Sequence, residues 1–172
     1  MGADIRDLLN TPEPPELGPG RRKGTMSVTE IEQAVGTKAP PLARATLLLW
    51  HDHLDEAHTI AQGIENADGS YLHGIMHRRE PDYGNAKYWF RRVGRHHCFL
   101  TLAGSAGEIL SADQELASRL VPSGEWDPFA FIDACEQSEQ GRFNAQQSAM
   151  LREVQAAELR ILLERFATGT NN

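Results

Sequence analysis

Apolar residues recur every three or four positions along most of this chain, and this spacing constrains the fold more than any other feature. No segment shows the strict alternation of apolar and polar residues that marks a half-buried strand. Prolines and glycines divide the periodic sequence into segments of helical length. The sequence therefore predicts an all-α fold, a helical bundle of five to seven helices, forming a single domain over residues 27–172.

Local signals set the predicted bounds of these helices. Ser27 and Glu30 match a capping box that opens a short helix. Pro41 suits the first turn of a long helix, which is predicted to run unbroken to residue 62. Further helices are predicted over residues 68–79, 85–93, 98–117, 128–138 and 144–166, the second of these capped by Asp82 or Asn85 and the third interrupted near Gly104 and Gly107.

Residues 1–26 lack this periodicity. Four prolines and three glycines fall within residues 11–24, which favours an extended N-terminal arm that is ordered only where it lies on the body or on a partner. The chain also shows no signal-peptide pattern and no apolar run long enough to cross a bilayer. Its two cysteines do not suggest a disulfide framework. We therefore expect a cytoplasmic protein that does not associate with membranes.

The distribution of charge bears on the partners. The net charge is −7, which makes nucleic-acid binding an unfavoured prediction. Residues 73–97 nevertheless carry six cationic side chains against two carboxylates. This basic segment could contact a small anionic ligand or pair with acidic helices of the same fold. If the chain self-associates, a homodimer is the expected assembly.

All seven histidines lie between positions 51 and 97. On the long helix, His51, Asp55 and His58 follow one edge of the apolar stripe, because they are separated by four and three positions. Asp52 and His53 point away from that edge, and we expect them to be solvated.

On the next helix, His73 and His77 are four positions apart and share a face, which Glu80 continues. Such a pair supplies two metal ligands, and a facing helix could complete a site for zinc, iron or manganese. Gly74 rules out an HExxH motif. Alternatively, the histidines only hydrogen-bond carboxylates in a packed interface. The predicted metal ligands are His58, His73, His77 and Asp55, and the candidate catalytic residues are His51, Asp55, His58, His73, His77 and Glu80.

The loop around Pro81 and Gly84 separates two helices rich in cations. Free amides at a helix start, together with arginine forks, favour binding of phosphate or carboxylate. The alternative is that the arginines pair with acids inside the protein. The predicted ligand-binding residues are Arg78, Arg79, Asn85, Lys87, Arg91 and Arg92.

Glu158 falls within the apolar stripe of the last predicted helix. A buried carboxylate requires a partner, because an unpaired charge is costly to bury. We expect Arg79 or Arg91 to provide it, or Glu158 to act as a further site ligand. The aromatic residues Tyr88 and Trp89 could belong to the anion pocket or simply to the core, and Cys98 is interpreted as a core residue.

The run HGIMHRREPDYGNAKYWFRRVGRH resembles a signature of a family of uncharacterised bacterial and fungal proteins, in the pattern HRREPDxGNAKYW. The preceding run WHDHLDEAHTIAQ resembles the same family. The resemblance covers residues 47–98. It implies that these motifs form one unit, and it implies no particular activity.

Together these features predict an enzyme that acts on a small anionic molecule, with a histidine-rich site beside an arginine-rich anion pocket. A hydrolase or lyase would suit a metal-activated water. The alternative is a non-catalytic module that binds a small ligand or serves regulation or assembly, with structural histidine and arginine networks.

Overall fold

The computed structural model describes residues 4–36 and 38–169, which contain nine α-helices and no strands. The α-helices are α1 (Val28–Val35), α2 (Pro41–Trp50), α3 (Leu54–Ala61), α4 (Ala67–Arg79), α5 (Tyr83–Val93), α6 (Cys98–Ile109), α7 (Gln114–Leu120), α8 (Pro128–Glu139) and α9 (Ala145–Ala167). Two 3₁₀ helices span Ile5–Leu9 and Pro122–Gly124. The all-α prediction is confirmed, and the predicted count of five to seven helices is wrong for the described part of the chain.

One reason for the higher count is a break in the helix predicted over residues 41–62. Asp52 takes a left-handed backbone conformation with φ of 67°, which ends α2 before α3 begins. Aspartate tolerates this conformation better than most residues. Its carboxylate is also held by two arginines that are distant in sequence, Arg22 and Arg79. The expectation that Asp52 and His53 are solvated is therefore wrong, because both are buried.

In contrast, α6 runs without interruption through Gly104 and Gly107. Each glycine weakens a helix by about 1 kcal/mol relative to alanine. Burial of Leu102, Ala103 and Ala106, on a helix that packs against α9, offsets this cost. The predicted interruption near the two glycines is therefore wrong.

Several helix termini match their sequence signals. Ser27 and Glu30 form the predicted capping box at α1, and Asp82 caps α5 through the amide of Asn85. Asn144 and Gln147 form a second capping box that opens α9. None of the described helices has the length and apolar character needed to span a bilayer.

The apolar core consists of two clusters. The first lies among α1 to α5 and the second half of α9, and the other lies among α6, α7, α8 and the first half of α9. Helices α4 and α5 pack closely at Gly74, where an added Cβ atom would lie 2.6 Å from the ring of Phe90. Glycine at position 74 therefore lets α5 pack directly on the α4 face that carries the histidines.

Candidate metal centre

Three histidines from two helices converge on one point. His58 comes from α3, and His73 and His77 come from consecutive turns of α4. One ring nitrogen of each residue can be chosen so that all three lie within 4.8 Å of one another. The ring centroid of His58 lies 4.6 Å from that of His73 and 5.8 Å from that of His77. We call these three residues the histidine trio.

The helix α5 supports the trio from the side. The ring of Trp89 is stacked on that of His73, with centroids 3.9 Å apart and planes inclined by 5°. The rings of His73 and His77 are also parallel, at 5.3 Å. This stack fixes the plane of the His73 imidazole and buries the residue, which is 5% exposed.

The ring nitrogens of His58 and His73 accept or donate no hydrogen bond within the described parts of the chain. These nitrogens are not fully buried, so they are open to water or to a metal. His77 differs, because its Nδ1 lies 3.5 Å from Glu80 Oε2 and 3.9 Å from Asp82 Oδ2. The side-chain amide nitrogen of Asn85 also lies 3.2 Å from His77 Nε2.

The surroundings of His73 and His77 favour their neutral imidazoles. Burial, followed by the neighbouring rings of His58 and His77, lowers the pKa of His73 to about 4. Burial also lowers the pKa of His77, although the carboxylates of Glu80 and Asp82 oppose this effect. A neutral imidazole is the form that binds a metal, so protons compete little with a metal for these two residues near neutral pH.

The donor set fits a metal with three protein ligands. Histidine nitrogens bind zinc at about 2.0–2.1 Å. The three ligand nitrogens, which lie within 4.8 Å of one another, would therefore move closer together by side-chain rotation to share one ion. Imidazole ligands also suit iron and, with added oxygen ligands, manganese. The trio therefore has a geometry compatible with a metal site.

The other residues predicted for this site lie elsewhere or at its edge. Asp55 is exposed and does not join the trio. Glu80 is exposed as a residue but contacts His77. His51 accepts a hydrogen bond from the Met26 amide at Nδ1 and donates from Nε2 to the Leu8 carbonyl. Both of its nitrogens therefore hold the N-terminal arm.

Arg78 lies in the core, where it forms an ion pair with Glu158. Its Nη2 atom lies 2.6 Å from Glu158 Oε2, and both side chains are almost fully buried. Tyr71 and Gln155 complete this network: the Tyr71 hydroxyl donates to Glu158, and the Gln155 side-chain carbonyl accepts from Arg78. Glu158 is thus buried and paired as predicted, but the expected partners, Arg79 and Arg91, are wrong.

Arg79 is buried in a second network at the break between α2 and α3. It donates to Asp52 at 2.8 Å and to the Leu49 carbonyl at 2.5 Å. Arg22 of the arm donates to the other Asp52 oxygen at 2.9 Å. Burial raises the pKa of Asp52, but hydrogen bonds from the two arginines outweigh this and hold that pKa below its usual value. For Arg78 and Arg79 the structure therefore shows internal pairing, the alternative to a ligand role.

The remaining cations predicted to bind ligand lie on α5. Lys87 forms an ion pair with Asp133 at 2.6 Å. Arg91 is exposed. Arg92 lies over two aromatic rings, with its Cζ 5.5 Å from the Trp89 centroid and 6.0 Å from the Tyr88 centroid.

Two residues contribute to these sites in ways that the sequence pattern does not predict. Trp89 stacks on His73, a contact that was not predicted, although its position four residues after Asn85 places both on one face of α5. Asp52 organises the docking of the arm, and no local pattern indicated this. Cys98 is buried as expected, and burial raises the pKa of its thiol to about 11.

Comparison of the chain with protein-family models, curated proteins and solved structures found no match.

Proposed function

We propose that the protein is a metal-dependent hydrolase that acts on a small anionic molecule at the histidine trio. The observation that carries this proposal is the convergence of three imidazoles, two of which have ring nitrogens without hydrogen-bond partners among the described residues. Three histidine ligands with a fourth position for water are one arrangement of catalytic zinc sites. A metal bound there would supply a hydroxide at neutral pH.

The chain's own residues have separable roles in this proposal. His58, His73 and His77 would hold the metal, and burial favours the neutral forms of His73 and His77 that a metal requires. Glu80 Oε2 lies 3.5 Å from Nδ1 of His77 and would favour a proton on that nitrogen, and the Asn85 amide, 3.2 Å from Nε2, would have to turn away for Nε2 to serve as a ligand. Trp89 restricts rotation of the His73 ring through the stacking contact.

The test is hydrolysis by the metal-stripped and zinc-reloaded protein, measured on small esters and amides that carry a carboxylate or phosphate. Zinc-dependent turnover is expected, and His58→Ala should abolish it. The matched control is His97→Ala, which removes an exposed histidine outside the trio and should retain turnover. Equal turnover by the stripped protein, or by His58→Ala, would contradict the proposal.

Stoichiometric zinc binding without turnover on any of these compounds would instead support a non-catalytic metal and ligand-binding module. That alternative uses the same residues. It differs in predicting tight binding of an anion whose structure is unchanged after incubation with the protein.

A further inference from the structure

We infer that Arg92, supported by Trp89, holds the anionic group of the molecule that reaches the histidine trio. This inference rests on the proposed function and specifies its substrate class: a small carboxylate or phosphate whose anionic group is distinct from the group at the metal. The residues that carry it are Asn85, Trp89 and Arg92. They lie on one face of α5, because their spacings of four and three residues match the helical repeat.

Trp89 links this face to the trio. One contact joins its ring to His73 at 3.9 Å, and another joins it to the Arg92 guanidinium at 5.5 Å. The distance from the Arg92 guanidinium carbon to the His73 ring centroid is therefore at most about the sum of these two distances. The Arg92 guanidinium is therefore close enough to the trio for one small molecule to approach both groups past the edge of the Trp89 ring.

Arg92 differs from Arg78, Arg79 and Lys87 in how its charge is balanced. Arg78 and Arg79 are buried against Glu158 and Asp52, and Lys87 is paired with Asp133. In residues 4–36 and 38–169, no carboxylate lies within 4.0 Å of the Arg92 guanidinium. A cation held over aromatic rings keeps its N–H donors, whereas one held by a carboxylate uses them.

These donors match the oxygens of a carboxylate or a phosphate, since a guanidinium can donate two parallel hydrogen bonds to either group. Asn85 lies on the same face, and its side-chain amide already contacts His77. The face therefore presents a cation, an aromatic surface and an amide beside the trio. This combination suits a short anionic molecule better than an extended polymer.

The experiment is calorimetric titration of the zinc-loaded protein with inorganic phosphate and, separately, with acetate. Arg92→Gln is compared with Arg91→Gln, which removes an equal charge from the adjacent exposed position. Loss of a charged hydrogen-bond donor is worth about 1.5–3 kcal/mol. Arg92→Gln should therefore weaken anion binding by roughly 10-fold to 100-fold, and Arg91→Gln should change it by less than about 2-fold. Zinc content should be unchanged in both variants.

Equal affinities in the two variants, or no binding of either anion to the unmodified protein, would overturn the inference while leaving the metal site intact. Preference for phosphate or for acetate identifies the anion class. If the protein binds no zinc, the proposed function fails. In that case the metal-free protein should still bind the anion more weakly in Arg92→Gln than in Arg91→Gln, because the anion contacts do not include the metal. Equal affinities would then overturn the inference.

Discussion

The histidines just before α3 and the histidines of the trio use their ring nitrogens differently. His51, just before this helix, bonds to two backbone groups of the N-terminal arm, and His53 bonds to the Met26 carbonyl. His58, within the helix, and His73, which faces it, have no such bonds among the described residues and contact other rings instead. Both groups are wholly or partly buried, so burial does not separate a structural histidine from a candidate ligand. Hydrogen bonds to the backbone separate them, although Nδ1 of His53 is itself buried without a partner among the described residues.

The stability of the protein should fall most when a charge is removed from the buried network of Asp52, Arg22 and Arg79, which holds the N-terminal arm. Asp52→Asn leaves the buried Arg79 guanidinium without its anion while preserving side-chain size. Breaking a buried ion pair costs about 3–5 kcal/mol, so the free energy of unfolding in urea should fall by this amount. The exposed Asp55→Asn, three residues later, should stay within about 0.5 kcal/mol of the unmodified protein. Similar effects of the two substitutions would remove the structural role assigned to this region.

The support of the trio can be disturbed without altering its ligands. Gly74→Ala places a methyl group against the Phe90 ring, and overpacking of this kind costs about 1–3 kcal/mol. It should also weaken zinc binding, since displacement of α5 moves Trp89 away from His73. Gly104→Ala, in a helix position with no atom within 4 Å of the added methyl, should stabilise the protein by up to about 1 kcal/mol. Unfolding and zinc titration of both variants measure these effects, and unchanged zinc affinity in Gly74→Ala would contradict the role of the stack.

A smaller effect is expected from the carboxylate beside the trio. Glu80→Gln weakens the interaction with His77 Nδ1, and loss of such an outer contact lowers metal affinity by roughly 10-fold to 100-fold. The exposed Glu65→Gln is the control and should leave zinc affinity unaltered. Competition with a chromogenic chelator provides the measurement. A value for Glu80→Gln equal to that of the control would exclude an orienting role for Glu80.

The smallest expected effect is on how the stability of the protein changes with pH, through His51, which holds the N-terminal arm. Burial lowers the pKa of His51 below its ordinary 6.5, so the folded state binds fewer protons than the unfolded state as the pH falls below 6.5. The contribution of neutral His51 is therefore fully present above that pH and is lost on acidification towards the folded-state pKa. In the metal-free protein, His51→Gln should reduce the loss of stability between pH 7.5 and pH 5. An unchanged pH dependence in this variant would contradict the assignment.

Much of the fold follows from local sequence, whereas the break at Asp52 does not. The capping box of Ser27 and Glu30 is complete within one helical turn, so the sequence predicts it correctly. The backbone reversal at Asp52 depends on Arg22, thirty residues earlier, and on Arg79, on another helix. Such contacts become visible only when the helices are packed.

The candidate site was predictable to a similar extent. The spacing of His73 and His77 predicted a shared face, and the structure brings His58 to it. The roles of Arg78 and Arg79 were not predictable, because adjacent helical residues point about 100° apart and both directions are buried here. Only the positions of Glu158 on α9 and Asp52 before α3 determine which acid each arginine contacts.

The central claim is that the trio binds a metal and that His51 and His53 do not. Elemental analysis of the untagged protein, purified without chelators, tests it most directly. We predict about one equivalent of zinc, iron or manganese, lost in His58→Ala and His73→Ala and retained in His97→Ala. Absence of metal from the unmodified protein after exposure to all three ions, or its retention in both trio variants, would contradict the claim.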